Sequence, residues 1–121
     1  MLGPSDDATW AEDTGGAADT GIVREDFGST TLKNLGNPSG ALDDWRIYNV
    51  RAADGHFVAA MDGTTFFSTG TNTVSFSTAP KMGNRGNNSR IFVAEIAIHN
   101  VILTNEERAL VLAKLQERWA L

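Results

Sequence analysis

Between residues 45 and 69 hydrophobic and polar positions alternate with period two, and Asp-Gly pairs break the runs. Trp45-Arg-Ile-Tyr-Asn-Val-Arg51 sets Trp45, Ile47, Asn49 and Arg51 on one face and Arg46, Tyr48 and Val50 on the other. Asp54-Gly55 then offers a two-residue turn into His56-Phe-Val-Ala-Ala-Met61, and Asp62-Gly63 reverses the chain into Thr64-Thr-Phe-Phe-Ser-Thr69. After Gly70-Thr-Asn72, a further strand is expected over Thr73-Val-Ser-Phe-Ser-Thr78, with Val74 and Phe76 on one face. Short Thr-, Val- and Phe-rich strands between glycine turns predict an antiparallel sandwich or barrel, not a parallel α/β sheet. Trp45 is expected in the core, and Tyr48, on the opposite face, at the surface. No internal repeat is present.

The pattern changes near the end of the chain. Ile91-Phe-Val-Ala-Glu-Ile-Ala-Ile-His99 predicts a closing strand, followed by the aliphatic link Asn100-Val-Ile-Leu103. Thr104-Asn105-Glu106-Glu107 is a capping box: the Thr104 hydroxyl can accept from the Glu107 N–H while the Glu107 side chain reaches back. A helix over roughly 106–119 follows, with Val111, Leu112, Leu115 and Trp119 in one stripe and Glu106, Lys114 and Glu117 turned away. A helix this short is marginal alone, so the stripe is expected to be buried on a larger body.

This order of strand, aliphatic link, Leu-Thr-x-x-Glu-Arg and helix ending near a tryptophan resembles the C-terminal end of concanavalin A-like, laminin G-like jelly-roll domains. Upstream, Phe57-Val-Ala-Ala-Met-Asp-Gly63 with Thr64-Thr-Phe-Phe-Ser68 looks like that family's hairpin, and Lys81-Met-Gly-Asn-Arg-Gly86 like its glycine-rich stretch before the closing strand. The resemblance covers roughly residues 45–121. It departs from the family at Ile91 and Phe92, where a glycine is common, and in length, because complete domains of this type are longer. What it implies is an all-β fold: an abbreviated antiparallel jelly-roll-type β-sandwich with one C-terminal helix and an extended N-terminal arm. Cysteine-free versions with Gly/Thr/Asn-rich loops look like those in virion proteins of tailed bacteriophages, which decorate capsids or sit in tails and fibres.

The arm is expected over residues 1–40 and the sandwich over 41–121. Asp13-Thr-Gly-Gly-Ala-Ala-Asp-Thr-Gly21 holds nothing large to bury, and Asn37-Pro-Ser-Gly40 reads as a turn or linker. Charge is uneven. The first forty residues carry seven acids (Asp6, Asp7, Glu12, Asp13, Asp19, Glu25, Asp26) against Arg24 and Lys33, and the remainder is neutral, so the net −5 lies wholly in this first third. Such a segment either keeps the chain soluble or docks on a basic partner surface through Trp10, Ile22, Val23 and Phe27 as apolar anchors. Nucleic acid is disfavoured as a partner, since no basic stripe exists to neutralise phosphates. No apolar run approaches the ~20 residues of a membrane span. The first residues lack the basic-then-apolar pattern of a secretory signal, so synthesis in a host cytoplasm is expected.

Chemistry is sparse. Jelly-roll glycoside hydrolases set two or three carboxylates on alternate residues of one strand, and no such pattern occurs. Glu95 stands alone and is expected to hold a loop or an arginine. His56 and His99 have no neighbouring serine nucleophile. With no cysteine, thiolate metal sites are absent. Calcium is the alternative to no cofactor, through Asp43, Asp44, Asp54 and Asp62 with Asn84, Asn87 and Asn88, although Asp54 and Asp62 read more simply as turn-formers. For a glycan, the aromatic candidates are Trp10, Trp45 and Tyr48. Arg85, Asn87, Asn88 and Arg90 form a polar loop that suits a glycan or another subunit equally. The expectation is a non-enzymatic virion protein, a capsid decoration (cement) protein that self-associates as a homotrimer and docks on the major capsid or another virion protein. A glycan-binding lectin-like module is the alternative.

Overall fold

A computed structural model describes residues 9–10, 23–38, 44–76, 78 and 93–121. Among these residues, six strands, all paired antiparallel, form two small sheets, and one helix lies at the C-terminal end. The first sheet holds β1 (Thr9–Trp10), β2 (Val23–Glu25) and β3 (Lys33–Gly36) in that order. The second holds β4 (Tyr48–Ala53), β5 (His56–Met61) and β6 (Thr64–Thr69). Helix α1 spans Asn105–Trp119.

The second sheet follows the alternation and its turns. Ala53 pairs with His56 across Asp54-Gly55, and Met61 pairs with Thr64 across Asp62-Gly63. Asp62 and Gly63 both have positive φ, the conformation an Asp-Gly pair tolerates at a hairpin tip. Asp62 does more than turn the chain: its carboxylate accepts from the Ile47 N–H at 2.9 Å and from Arg46 at 2.9 Å, tying the hairpin tip to the approach of β4. A register shift between Ala59 and Ala60 lets Ala59 face Phe67 and Ala60 face Thr65, so Phe66 is extra on β6. Both Phe66 and Phe67 thereby reach the core.

That core lies between the sheets. Phe57 and Ala59 from β5 meet Val23 and Leu35 from the first sheet, with Tyr48, Val50, Ala52, Phe66 and Phe67 around them. Phe57 meets Phe67 edge-on at 6.1 Å, and the Lys33 ammonium sits 5.2 Å from the Phe57 ring centre. Asn72, also buried, clamps the sheets by donating to the carbonyls of Gly28 (3.1 Å) and Ala53 (3.0 Å).

Several expectations need correction. Residues 23–36 are not part of an extended arm: Val23 and Leu35 are core residues, and β2 pairs with both β1 and β3. An antiparallel partner on each side allows three residues of low local hydrophobicity to become a central strand. The strand expected over 73–78 is absent at 73–76 and 78; Thr73 makes one backbone bond, accepting from Thr30, and Phe76 packs edge-on against Phe27. The closing strand is likewise absent over 93–99, because no ladder reaches it from another described residue. Trp45 lies before β4 and is 59 % exposed, whereas the face bearing Tyr48, Val50 and Ala52 turns to the core.

The helix forms as expected, with both capping-box bonds (Glu107 N–H to Thr104 Oγ1, 3.2 Å; Thr104 N–H to Glu107 Oε2, 2.8 Å). Its stripe is not sealed. None of its residues is buried, and Trp119 is 44 % exposed. The contact that seats it is local: Leu112 lies so close to Gly63 that a Cβ there would stand 2.6 Å from its Cδ2.

Candidate functional site

Two features of the described residues stand apart from ordinary packing. One is an apolar tract. Val93, Ile96, Ile98, Val101 and Ile102 are all exposed, and the segment 93–100 makes no backbone hydrogen bond to another described residue. Glu95 anchors it to the helix, accepting from Arg118 with both oxygens at 2.8 Å and from the Trp119 indole N–H at 3.0 Å. The indole bond, then Arg118, holds the Glu95 carboxyl below the usual carboxylate range. Glu95 is therefore a bracket for an arginine.

The other feature is a cavity of about 390 Å³ between the second sheet and α1. It is bordered by Ile47, Ala60, Leu112 and Leu115 on its apolar side and by Asn49, Arg51, Thr65, Asn105 and Arg108 on its polar side. The cavity exists because Asn49 and Arg51 alternate out of β4, away from the Tyr48–Val50–Ala52 face, while α1 covers that side through its half-buried residues. Among the described residues no aspartate or glutamate lines it. Burial, and then the charge of Arg108, pulls the Arg51 pKa down. The Arg51 Nε is shut off from solvent with no hydrogen-bond partner.

Of the residues singled out from the sequence, Val23 is in the core and so is unavailable as an anchor for a partner. Phe27 is half-buried on Phe76. Tyr48 is no surface platform: its hydroxyl donates to Glu25 Oε2 at 3.3 Å, and burial, then Glu25, raises its pKa. Ile22, Arg85, Asn87 and Arg90 lie outside the described residues, as do the side chain of Trp10 and the calcium candidates Asp43, Asn84 and Asn88. Among the described residues no group of three metal-ligating side chains converges. Arg51, Arg108 and the Glu25–Tyr48 pair carried no sequence signal, because their setting depends on contacts between residues distant along the chain.

Glu25 is 2 % exposed, and its Oε1 accepts from the Phe27 N–H at 2.7 Å. Burial outweighs these bonds and raises its pKa above the ordinary 4.5. The folded state thus holds this proton more tightly than the unfolded chain. The associated stability is fully present below pH 4.5 and is lost as pH rises through the folded value. In chemical denaturation from acid to pH 8, Glu25→Gln is expected to gain stability relative to the unsubstituted protein as pH rises. A relative gain toward acid would contradict this setting for Glu25.

No protein-family model, curated protein or solved structure matches this chain.

Proposed function

We propose that this chain is a non-enzymatic assembly module, an abbreviated jelly-roll-type sandwich that completes itself with neighbouring copies. The observation that carries this reading is the uncovered tract 93–102. Its sequence alternates like a strand, its apolar side chains are exposed, and its backbone groups have no ladder among the described residues. Exposed apolar surface and unpaired strand backbone are what soluble monomers avoid, and strand addition to a neighbour's sheet edge satisfies both. The outer edge of β4 is the acceptor in this reading, since β4 pairs only with β5 among the described residues. Reciprocal or cyclic exchange then closes the assembly, with a homotrimer as the preferred form. Within this reading the protein is a virion component of a tailed bacteriophage, a capsid decoration protein. The acids between residues 6 and 19 would supply charge for docking on a basic shell surface.

Light scattering across a concentration series tests the assembly. The unsubstituted chain is expected as an oligomer, and Ile98→Asp, at a residue 64 % exposed, as a monomer that melts at a similar temperature. A monomer at every concentration in the unsubstituted protein would overturn it. The glycan-binding alternative draws support from Trp45, an exposed aromatic face, and would require that Trp45→Ala abolish retention on a glycan surface.

A further inference from the structure

Arginines in a folded protein usually meet a carboxylate, and Arg46 and Arg118 do. Arg46 pairs with Asp62 at 2.9 Å, and Arg118 pairs with Glu95 at 2.8 Å. Arg51 and Arg108 border the sheet–helix cavity, which no acid among the described residues lines, and they repel one another. Arg108 is partly used, donating to the Leu103 carbonyl at 2.6 Å and to Asn105 Oδ1. The Arg51 Nε meets no hydrogen-bond partner and has no access to water either. A guanidinium carries five donors, and leaving a shielded one unmet costs about 1–3 kcal/mol. Two like charges beside an empty volume lower stability further.

The remaining lining defines what would offset the two positive charges. Asn49, Thr65 and Asn105 add neutral hydrogen-bonding groups, and Ile47, Ala60, Leu112 and Leu115 add an apolar wall. A volume of about 390 Å³ lies at the small end of ligand pockets, with room for a body of monosaccharide size. Guanidinium forks match the paired oxygens of carboxylates and phosphates. We propose that the cavity between β4–β6 and α1 binds a small organic oxyanion, a carboxylate or a phosphate monoester, gripped by Arg51 and Arg108 and seated against Leu112 and Leu115. This site does not rest on the assembly reading, since it lies on the face of the second sheet that α1 covers.

Calorimetric titration of the full chain with hexanoate, glucuronate and glucose 6-phosphate tests the site, with glucose as the neutral control. At least one of the three anions is expected to bind while glucose does not. Glucuronate or glucose 6-phosphate binding alone identifies a sugar-borne anion, and hexanoate binding identifies an apolar carboxylate. Arg51→Gln is expected to weaken the bound anion at least tenfold, and Arg51→Lys, which keeps charge and loses the fork, by an intermediate factor. Arg51→Gln should also melt no lower than the unsubstituted protein, because no bond within the chain is removed. The proposal is overturned if none of the anions binds, if glucose binds equally well, or if Arg51→Gln keeps full affinity. A lower melting temperature for Arg51→Gln would also overturn it, by showing that Arg51 serves the fold.

Discussion

Replacing Phe57 with alanine is expected to destabilise the protein by about 3–5 kcal/mol, the range for emptying a fully enclosed aromatic site. Phe57 has 0 % exposure and is the largest fully buried side chain among the described residues. Its ring touches both sheets: Phe67 meets it edge-on from β6, Lys33 approaches it from β3, and Val23 and Leu35 complete its cluster. Collapse cannot fill the gap cheaply, because these neighbours are held in separate ladders. Against a total stability of about 5–15 kcal/mol, the loss should lower the melting temperature by about 10–25 °C. The substitution also probes the corrected architecture. If residues 23–36 belong to the folded body, cleavage by trypsin at Arg24 and Lys33 should accelerate in Phe57→Ala. Unchanged cleavage with a loss under 1 kcal/mol would mean that the first sheet does not depend on the second.

Gly28→Ala is expected to cost about 2–5 kcal/mol, although it adds a single methyl group. Gly28 has φ of +57°, where an L-residue pays about 1–2 kcal/mol. The added Cβ would also stand 2.7 Å from the Ala52 Cβ and 3.0 Å from the Phe76 ring. Ala52 is fixed in β4 opposite Phe57 and cannot retreat, so overpacking adds about 1–3 kcal/mol. A double-mutant cycle separates the two effects. Ala52→Gly removes the nearest clashing atom, so the pair Gly28→Ala/Ala52→Gly should recover the Ala52 share of the steric cost and leave the Phe76 contact and the conformational part. Additive losses in urea denaturation would show that the close approach at Gly28 carries no energy.

The second sheet and the helix were legible from local pattern. Alternation in Tyr48–Ala53, His56–Met61 and Thr64–Thr69, with Asp-Gly at both tips, determines register, since two-residue turns leave one way to pair the flanking strands. Thr104 and Glu107 determine where α1 begins, because both capping bonds join residues three apart. The strands of the first sheet were not legible. Val23–Glu25 and Lys33–Gly36 are short, polar in part and set among glycines, and they become strands only because partners and the Phe57 cluster hold them. The opposite failure occurred at 93–99, whose alternation is as strong as that of β4 yet has no ladder among the described residues. Strand propensity is a fit to a neighbouring surface, not a property of the segment.

The sequence by itself therefore determined the meander, its turns, the capped helix and the placement of charge, all set by contacts within a few residues. Only the tertiary structure decided which face of β4 is core, that the Tyr48 hydroxyl meets the buried Glu25, and that Arg51 and Arg108 border one cavity. Those outcomes depend on which distant residue arrives opposite, Leu35 over Phe57 or Leu112 over Gly63, and no local pattern encodes that encounter.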